Sequence, residues 1–180
     1  MPDDQVLLAA LAAIRERGAI GERSLTDAVA RADRFVDLIP ASARNLVDLG
    51  SGGGLPGLVI AWRLPHLSVT FVERRASRAD LLRRAVVALG LAVSVRAEDV
   101  KILAVEAPRS FDVVTARSFA PPAITVRWAA QLLVDGGTLL VSEPPDPTSE
   151  RWPAELLGRH HLSDTTIDQG IHVFRRGFPT

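Results

Sequence analysis

Between Val47 and Gly57 the sequence reads VDLGSGGGLPG, with five glycines in eight positions behind a short apolar run that ends in an aspartate. Such a run is a strand that turns sharply into a helix, with glycines where the backbone needs positive φ or close approach. It restricts the chain to architectures in which strands and helices alternate, and the rest of the sequence does alternate. Strands are expected at NLVDL, LSVTFVE, VSVRAE, FDVVTAR and GTLLVSE, and helices at LPGLVIAWRL, SRADLLRRAVVALG, DVKILAVE and AITVRWAAQLLV. After a proline-rich break, EPPDPTSERWP, a short helix and two further strands, HLSDTTI and IHVFRR, complete the pattern. This alternation predicts a parallel sheet wound on both faces.

Two helices precede the first strand. Val6, Leu7, Ala10, Leu11 and Ile14 recur at helical spacing, and Gly18 with Gly21 ends that segment. Ser24 and Asp27 have capping-box spacing, Leu25, Val29, Ala32, Val36 and Ile39 follow one face, and Pro40 stops the second helix. The expected organisation is one α/β domain over residues 1–180, with a helical extension at 1–40 and a core at 41–180. Asp3 and Asp4 stand where a leader peptide needs basic residues, so VLLAALAAI is read as an amphipathic helix. No apolar run is long enough to span a bilayer, and the chain has no cysteine, which removes disulfides, thiolate metal sites and cysteine nucleophiles. A cytoplasmic location and no metal centre are expected. Twenty-one basic residues balance 21 acidic ones, and Lys101 is the only lysine. Any nucleic-acid contact must therefore come from a local patch rather than from global charge.

The glycine turn can be counted in two registers. Gly50, Gly52 and Gly54 form G-x-G-x-G from the end of the strand, whereas Gly52, Gly54 and Gly57 form G-x-G-x-x-G two residues later. A dinucleotide fingerprint needs its first glycine directly after the strand, which disfavours the later register and with it a nicotinamide cofactor. Asp48, just before the first glycine, is typical of loops that hold S-adenosylmethionine (SAM), where a carboxylate helps to hold the ammonium of the methionine moiety. Ser51 lies within this turn. Glu73 ends the second strand beside it, where a carboxylate accepts both ribose hydroxyls, and Arg74 follows. RAED ends the third strand, so Ala97 and Glu98 are candidates for the adenine, and Asp99 is placed to cap the next helix.

VDLGSGGGLPG, FVERRASRADLL, VRAED, FDVVTARSFAPP and LLVDGGTLLV together resemble, in order, the small-subunit ribosomal RNA methyltransferase G family, formerly glucose-inhibited division protein B. The resemblance covers roughly residues 45–143. It implies a Rossmann-like class I SAM-dependent methyltransferase, with a mostly parallel seven-stranded sheet, helices on both faces and a short helical amino-terminal extension. It also implies methylation of guanine N7 in small-subunit RNA, with SAM held at Gly50, Leu55, Ala97, Glu98 and Arg117. The chain departs from the family pattern where the helix before the first strand reads RADRFVDLIP, where Ser77 and Arg78 replace a Lys-Arg pair, and where Glu143-Pro144 replaces Lys-Gly. The last is a charge reversal on the expected substrate side.

The residues agree with N7 chemistry by what they lack. No cysteine supports a covalent route to 5-methylcytosine, and SFAPP follows the fourth strand in place of the Asn/Asp-Pro-Pro-aromatic that binds exocyclic amines. His66, His160, His161 and His172 are read as surface or tail residues. Arg117, at the end of the fourth strand, is expected to face the transferred methyl group as the catalytic arginine. Arg74, Arg75, Arg78, Arg83 and Arg84 form the densest basic cluster, Trp128 reads as core, and Trp62 as packed or available for stacking. Three readings stay open at this level: an RNA methyltransferase with small ribosomal subunit RNA as partner, a SAM enzyme for a small molecule or other substrate, and a SAM-binding paralogue without methyl transfer. Oligomeric state and protein partners are left open.

Overall fold

In the computed structural model, residues 4–21, 24–146 and 149–178 are described; Asp3, and Pro147 and Thr148 of the proline-rich break, lie outside them. Strands β1 (Asn45–Leu49), β2 (Ser68–Val72), β3 (Val93–Arg96), β4 (Phe111–Ala116), β5 (Leu133–Ser142), β6 (Leu162–Asp168) and β7 (Ile171–Arg176) form one sheet. Its order is β3-β2-β1-β4-β5-β7-β6. The first five strands are parallel, and β7 enters antiparallel between β5 and β6. The five parallel strands are what the alternation predicts, and the mostly parallel seven-stranded sheet is the one the family resemblance implies.

Because successive side chains of a strand leave opposite faces, each core strand supplies two layers. Leu46, Val69, Phe71 and Val113 pack beneath α1 (Asp4–Glu16), α2 (Leu25–Leu38), α3 (Gly57–Arg63) and α4 (Ala76–Ala88). Val47, Leu49, Val72 and Val114 pack beneath α5 (Val100–Glu106), α6 (Pro122–Leu132) and α7 (Ala154–Arg159). Each fully buried Leu, Val or Phe contributes about 1.5–3 kcal/mol relative to exposure. The near-continuous apolar strands are therefore what a sheet covered on both faces requires.

The amino-terminal helices belong to the first layer. Leu7, Leu11 and Ile14 of α1 and Ala28, Val29, Ala32 and Phe35 of α2 are buried in it. Ser24 caps α2, its hydroxyl accepting the Asp27 amide at 3.1 Å. Arg63 at the end of α3 ties the extension down, donating to Asp33 at 2.9 Å and pairing with Asp4.

Two boundaries differ from the pattern. α3 starts only at Gly57, because residues 52–56, with a cis Leu55–Pro56 bond, are used up by the turn. β5 starts at Leu133, directly after α6, because Leu133 already pairs with Phe111 before the register shifts to Val113–Thr138. Among the described residues, no helix is long and apolar enough to cross a membrane.

Candidate cofactor site

The strand order reverses between β1 and β4, since β2 and β3 lie to one side of β1 and β5 to the other. In such sheets a crevice opens at the carboxyl ends of the strands at the reversal. The glycine turn occupies this point. Gly50, Gly52 and Gly54 have φ of +64°, +54° and +88°, the left-handed region that costs a residue with a Cβ, whereas Gly57 begins α3. The backbone thus selects the register that begins at the strand end. At Gly50 a Cβ would also stand 2.8 Å from Cδ2 of Phe119, so the β4–α6 loop lies directly on the turn.

Hydrogen bonds hold the turn rigid. The Ser51 amide donates to Val72 O at 3.1 Å, its hydroxyl donates to Asp48 O at 2.8 Å, and the Gly54 amide donates to Ser51 O at 2.6 Å. Glu73, 5% exposed, bridges two segments: its Oε2 accepts the Gly52 amide at 3.0 Å and its Oε1 the Arg75 amide at 2.8 Å. Each carboxylate oxygen keeps a second lone pair, so the group can still accept from a ligand.

Two cavities flank the turn. The larger, of about 440 Å³, lies between Glu73, Arg74, Glu98 and Asp99 on one side and Phe119, Ile124 and Trp128 on the other. The smaller, of about 190 Å³, lies over Ser51, Gly52, Gly53 and Leu55, with Arg117 and with Ala19, Ile20 and Gly21 of the α1–α2 loop. Gly50, Arg78 and Ser118 belong to both walls, so the two form one elongated cleft. The larger has the size typical of a small-molecule site. Its chemistry suits a nucleoside: apolar and aromatic walls, with carboxylates at Glu73 and Glu98. Glu98 Oε1 is buried without a hydrogen-bond partner, although it lies 2.9 Å from Arg96 Nη2. The smaller is cationic over exposed turn backbone, which suits an amino-acid carboxylate. Burial lowers the pKa of Arg117 below its usual value.

Of the expected site residues, Gly50, Ser51, Gly52, Leu55, Glu73, Arg74, Glu98 and Arg117 line the cleft. Gly54 lies within the turn beneath it. Asp99 also lines the cleft and caps α5 through the Lys101 amide at 3.0 Å. Asp48 is not on the wall. It is 1% exposed and points into the layer below, where Oδ1 accepts the Thr115 hydroxyl at 2.7 Å. Burial raises its pKa to about 6, against the hydrogen bond from Thr115, and its Oδ2 is buried without a hydrogen-bond partner. A side chain on an inner strand position alternates with its neighbours, and Leu49 has the other face. Ala97 is exposed on the β3–α5 turn and lines neither cavity.

Other expectations are met in part or corrected. Trp128 is half-buried: it packs against the core, as expected, and also lines the larger cavity. Trp62 packs against the core, the first of its two expected placements. The arginine cluster divides: Arg74, Arg75 and Arg78 line the cleft, Arg83 pairs with Asp80 at 2.7 Å, and Arg84 faces α1. Glu143 does not face a substrate. Its side chain is 1% exposed and binds Trp152 Nε1, Arg151 and His172. His172 is buried on β7, with its ring nitrogens 2.9 Å from Glu143 and 2.8 Å from Asp164, and it stacks on Phe174. Pairing of β7 with β5 creates this cluster, which chain position alone hides. Phe119, Ile124 and the Ala19–Gly21 segment were also missed; SFAPP marked the loop, but nothing local to residues 19–21 signals a contact thirty residues away.

Strand order, reversal point and cleft together define the Rossmann-like fold of class I methyltransferases. A methyltransferase from Geobacter sulfurreducens has the same fold, with a TM-score of 0.67 at 19% identity over 98% of this chain and 92% of that one. A putative O-methyltransferase from Klebsiella pneumoniae gives 0.64 at 19% identity over 97% and 90%. Residues 8–150 match the family model of rRNA small subunit methyltransferase G (GidB), and the chain belongs to that family. Ribosomal RNA small subunit methyltransferase G of Salinispora tropica is 44% identical over 133 residues, 70% of this chain and 52% of the relative. The proteins of the same name from Acidothermus cellulolyticus and Chloroflexus aggregans are 40% and 38% identical, over 88% and 91% of this chain and 69% and 68% of theirs. The chain thus spans about half the length of the Salinispora relative.

Proposed function

We propose that the chain is a SAM-dependent methyltransferase that methylates guanine N7 in small-subunit ribosomal RNA. The observation that carries this reading is the cleft at the sheet reversal, with its left-handed glycine turn, bridging carboxylate and cationic end, in a chain of the rRNA small subunit methyltransferase G family. In this reading Glu73 accepts the ribose hydroxyls, and Glu98 with backbone at Ala97 receives the adenine. Phe119, Ile124 and Trp128 enclose the ring. The backbone from Gly50 to Leu55 carries the methionine part, whose carboxylate meets Arg117 and Arg78. Asp48 acts through the turn it supports.

When bound, SAM supplies an electrophilic methyl group on a sulfonium. Guanine N7 has a free lone pair, so the chain needs no general base. Its task is alignment and exclusion of water, which is catalysis by proximity and orientation. In this reading Arg117, half-buried on the wall of the smaller cavity beside Ser118, orients the base or its phosphate, since an ionic contact in a site of low dielectric is stronger than one in water. The Glu143 side chain is buried against Arg151, so it presents no negative charge at the surface, which supports this reading.

Labelled SAM incubated with small ribosomal subunits lacking the N7 methyl group tests the proposal. Transfer to guanine in the wild-type reaction is expected, with Arg117→Ala lowering kcat/KM by 100-fold or more, about 2.7 kcal/mol of transition-state stabilisation. Confirmed SAM binding without transfer to RNA would remove the substrate assignment and leave the cofactor assignment standing.

A further inference from the structure

The parallel strands have a second edge. Opposite the cofactor cleft, where β4 begins and β7 ends, a cavity of about 260 Å³ is lined by Arg109, Gln131, Arg159, His160, His161 and Arg176 among nine residues. Five of the nine carry cationic or protonatable side chains, and none carries a carboxylate. This is unlike the chain as a whole, whose charges cancel, and unlike the cofactor cleft, where three carboxylates face the arginines. The nearby acids stand behind the wall. Asp135 is shared by Arg109 at 3.0 Å and Arg176 at 3.2 Å, one carboxylate for two guanidinium groups. Glu155 pairs with Arg159 on the exposed side of α7.

The wall is built as well as charged. Arg176 is 6% exposed and donates inward to the Ala130 carbonyl. Arg109 and His161 hold φ of +49° and +54° without being glycine, and the His161 carbonyl accepts the Gly177 amide at 2.7 Å. The pKa of His160 is lowered, first by burial and then by the positive charge of Arg127, Arg159, Arg176 and His161, which Asp135 and Glu155 offset only in part.

We propose that this amino-edge cavity binds a phosphate group, supplied by the backbone of the RNA whose methylation is proposed above. Guanidinium and imidazole donors recognise phosphate oxygens through charge-assisted hydrogen bonds. The inference rests on the RNA reading for its source of phosphate, but not for its chemistry. The cofactor cleft lies at the other end of β4, whose six residues span about 20 Å. An RNA that reaches both is therefore folded or wraps the domain, as RNA in a ribosomal particle does and a short oligonucleotide does not.

The test has two arms and uses the whole chain. In the first, inorganic phosphate is titrated while the ring resonances of His160 and His161 are followed by NMR. Saturable shifts are expected, raised His160 protonation with them, and a loss of phosphate affinity of about fivefold or more in Arg159→Glu. Arg159 is chosen because it is exposed; His161→Asn, which keeps the left-handed backbone, is the second variant. In the second arm, unmodified small subunits are bound across a salt series. Arg159→Glu is expected to weaken binding without sequence preference, reduce the salt slope by about one, and raise KM at unchanged kcat. Absence of saturable shifts, or shifts unchanged in both variants, would overturn the site. Phosphate shifts with unaltered RNA binding would assign it to free phosphate. Phosphate shifts with no RNA binding by the wild type would defeat the RNA reading and keep the site.

Discussion

Asp48 shows how a single buried carboxylate couples the turn to pH. Its folded-state pKa of about 6 stands above the ordinary value of 3.8, so the folded chain holds this proton after the unfolded chain has lost it. Stability from this group is therefore highest below pH 4, falls between pH 4 and 6, and stays reduced above, by at most about 3 kcal/mol. Asp48→Asn keeps the shape, with the carboxamide oxygen able to accept the Thr115 hydroxyl as Oδ1 does. Urea unfolding should show the variant gaining on the wild type as pH rises from 4 to 7, and a pH-independent difference would refute the burial argument. Glu73 is the opposite case, a carboxylate satisfied by two backbone amides. Glu73→Gln turns one acceptor into a donor facing an amide, which costs about 1–3 kcal/mol. Calorimetry should find S-adenosylhomocysteine bound at least tenfold more weakly. Both residues stand out in the sequence as acids flanking glycine or ending a strand; that one faces the cleft and the other the core depends on strand alternation within the sheet.

At the scale of elements, the α1–α2 loop is part of the cofactor cleft. A Cβ at Gly53 would stand 2.4 Å from Ile20 Cγ1 and 2.6 Å from the Ala19 carbonyl, so the Ile20 side chain and the Ala19 backbone lie directly on the turn. Gly53→Ala must displace the loop at a cost of about 1–3 kcal/mol. Faster proteolysis within residues 17–21 and weaker S-adenosylhomocysteine binding are expected together. Ser24→Ala, which removes the α2 cap, should destabilise by about 1 kcal/mol in thermal unfolding and leave ligand affinity near the wild-type value. The helices were legible from their apolar spacing and cap. The contact of their connector with the glycine turn was not, because a docked loop carries no periodic signal.

For the whole molecule, ligand and fold stabilise one another, since the cleft is assembled from the ends of four strands and a loop from the extension. At 100 times its dissociation constant, S-adenosylhomocysteine should add about 2.7 kcal/mol, a rise in Tm of several degrees, whereas NAD should leave Tm unchanged. A comparable shift with NAD would overturn the cofactor assignment.

The sequence by itself determined the order of strands and helices, the sheet with two covered faces, and the register of the glycine turn, because each is written in local periodicity and in backbone freedom at particular positions. It also placed Glu73, Glu98 and Arg117 at the edge where they are found. Only the tertiary structure decided which way side chains at those positions face. It buried Asp48 and Glu143, gave Trp128 a place on the cleft wall as well as against the core, brought His172 between two carboxylates, and gathered Arg109, Arg159, His160, His161 and Arg176 around one cavity. Those outcomes depend on pairings between residues far apart in the chain, and above all on β7 entering between β5 and β6, which no local pattern encodes.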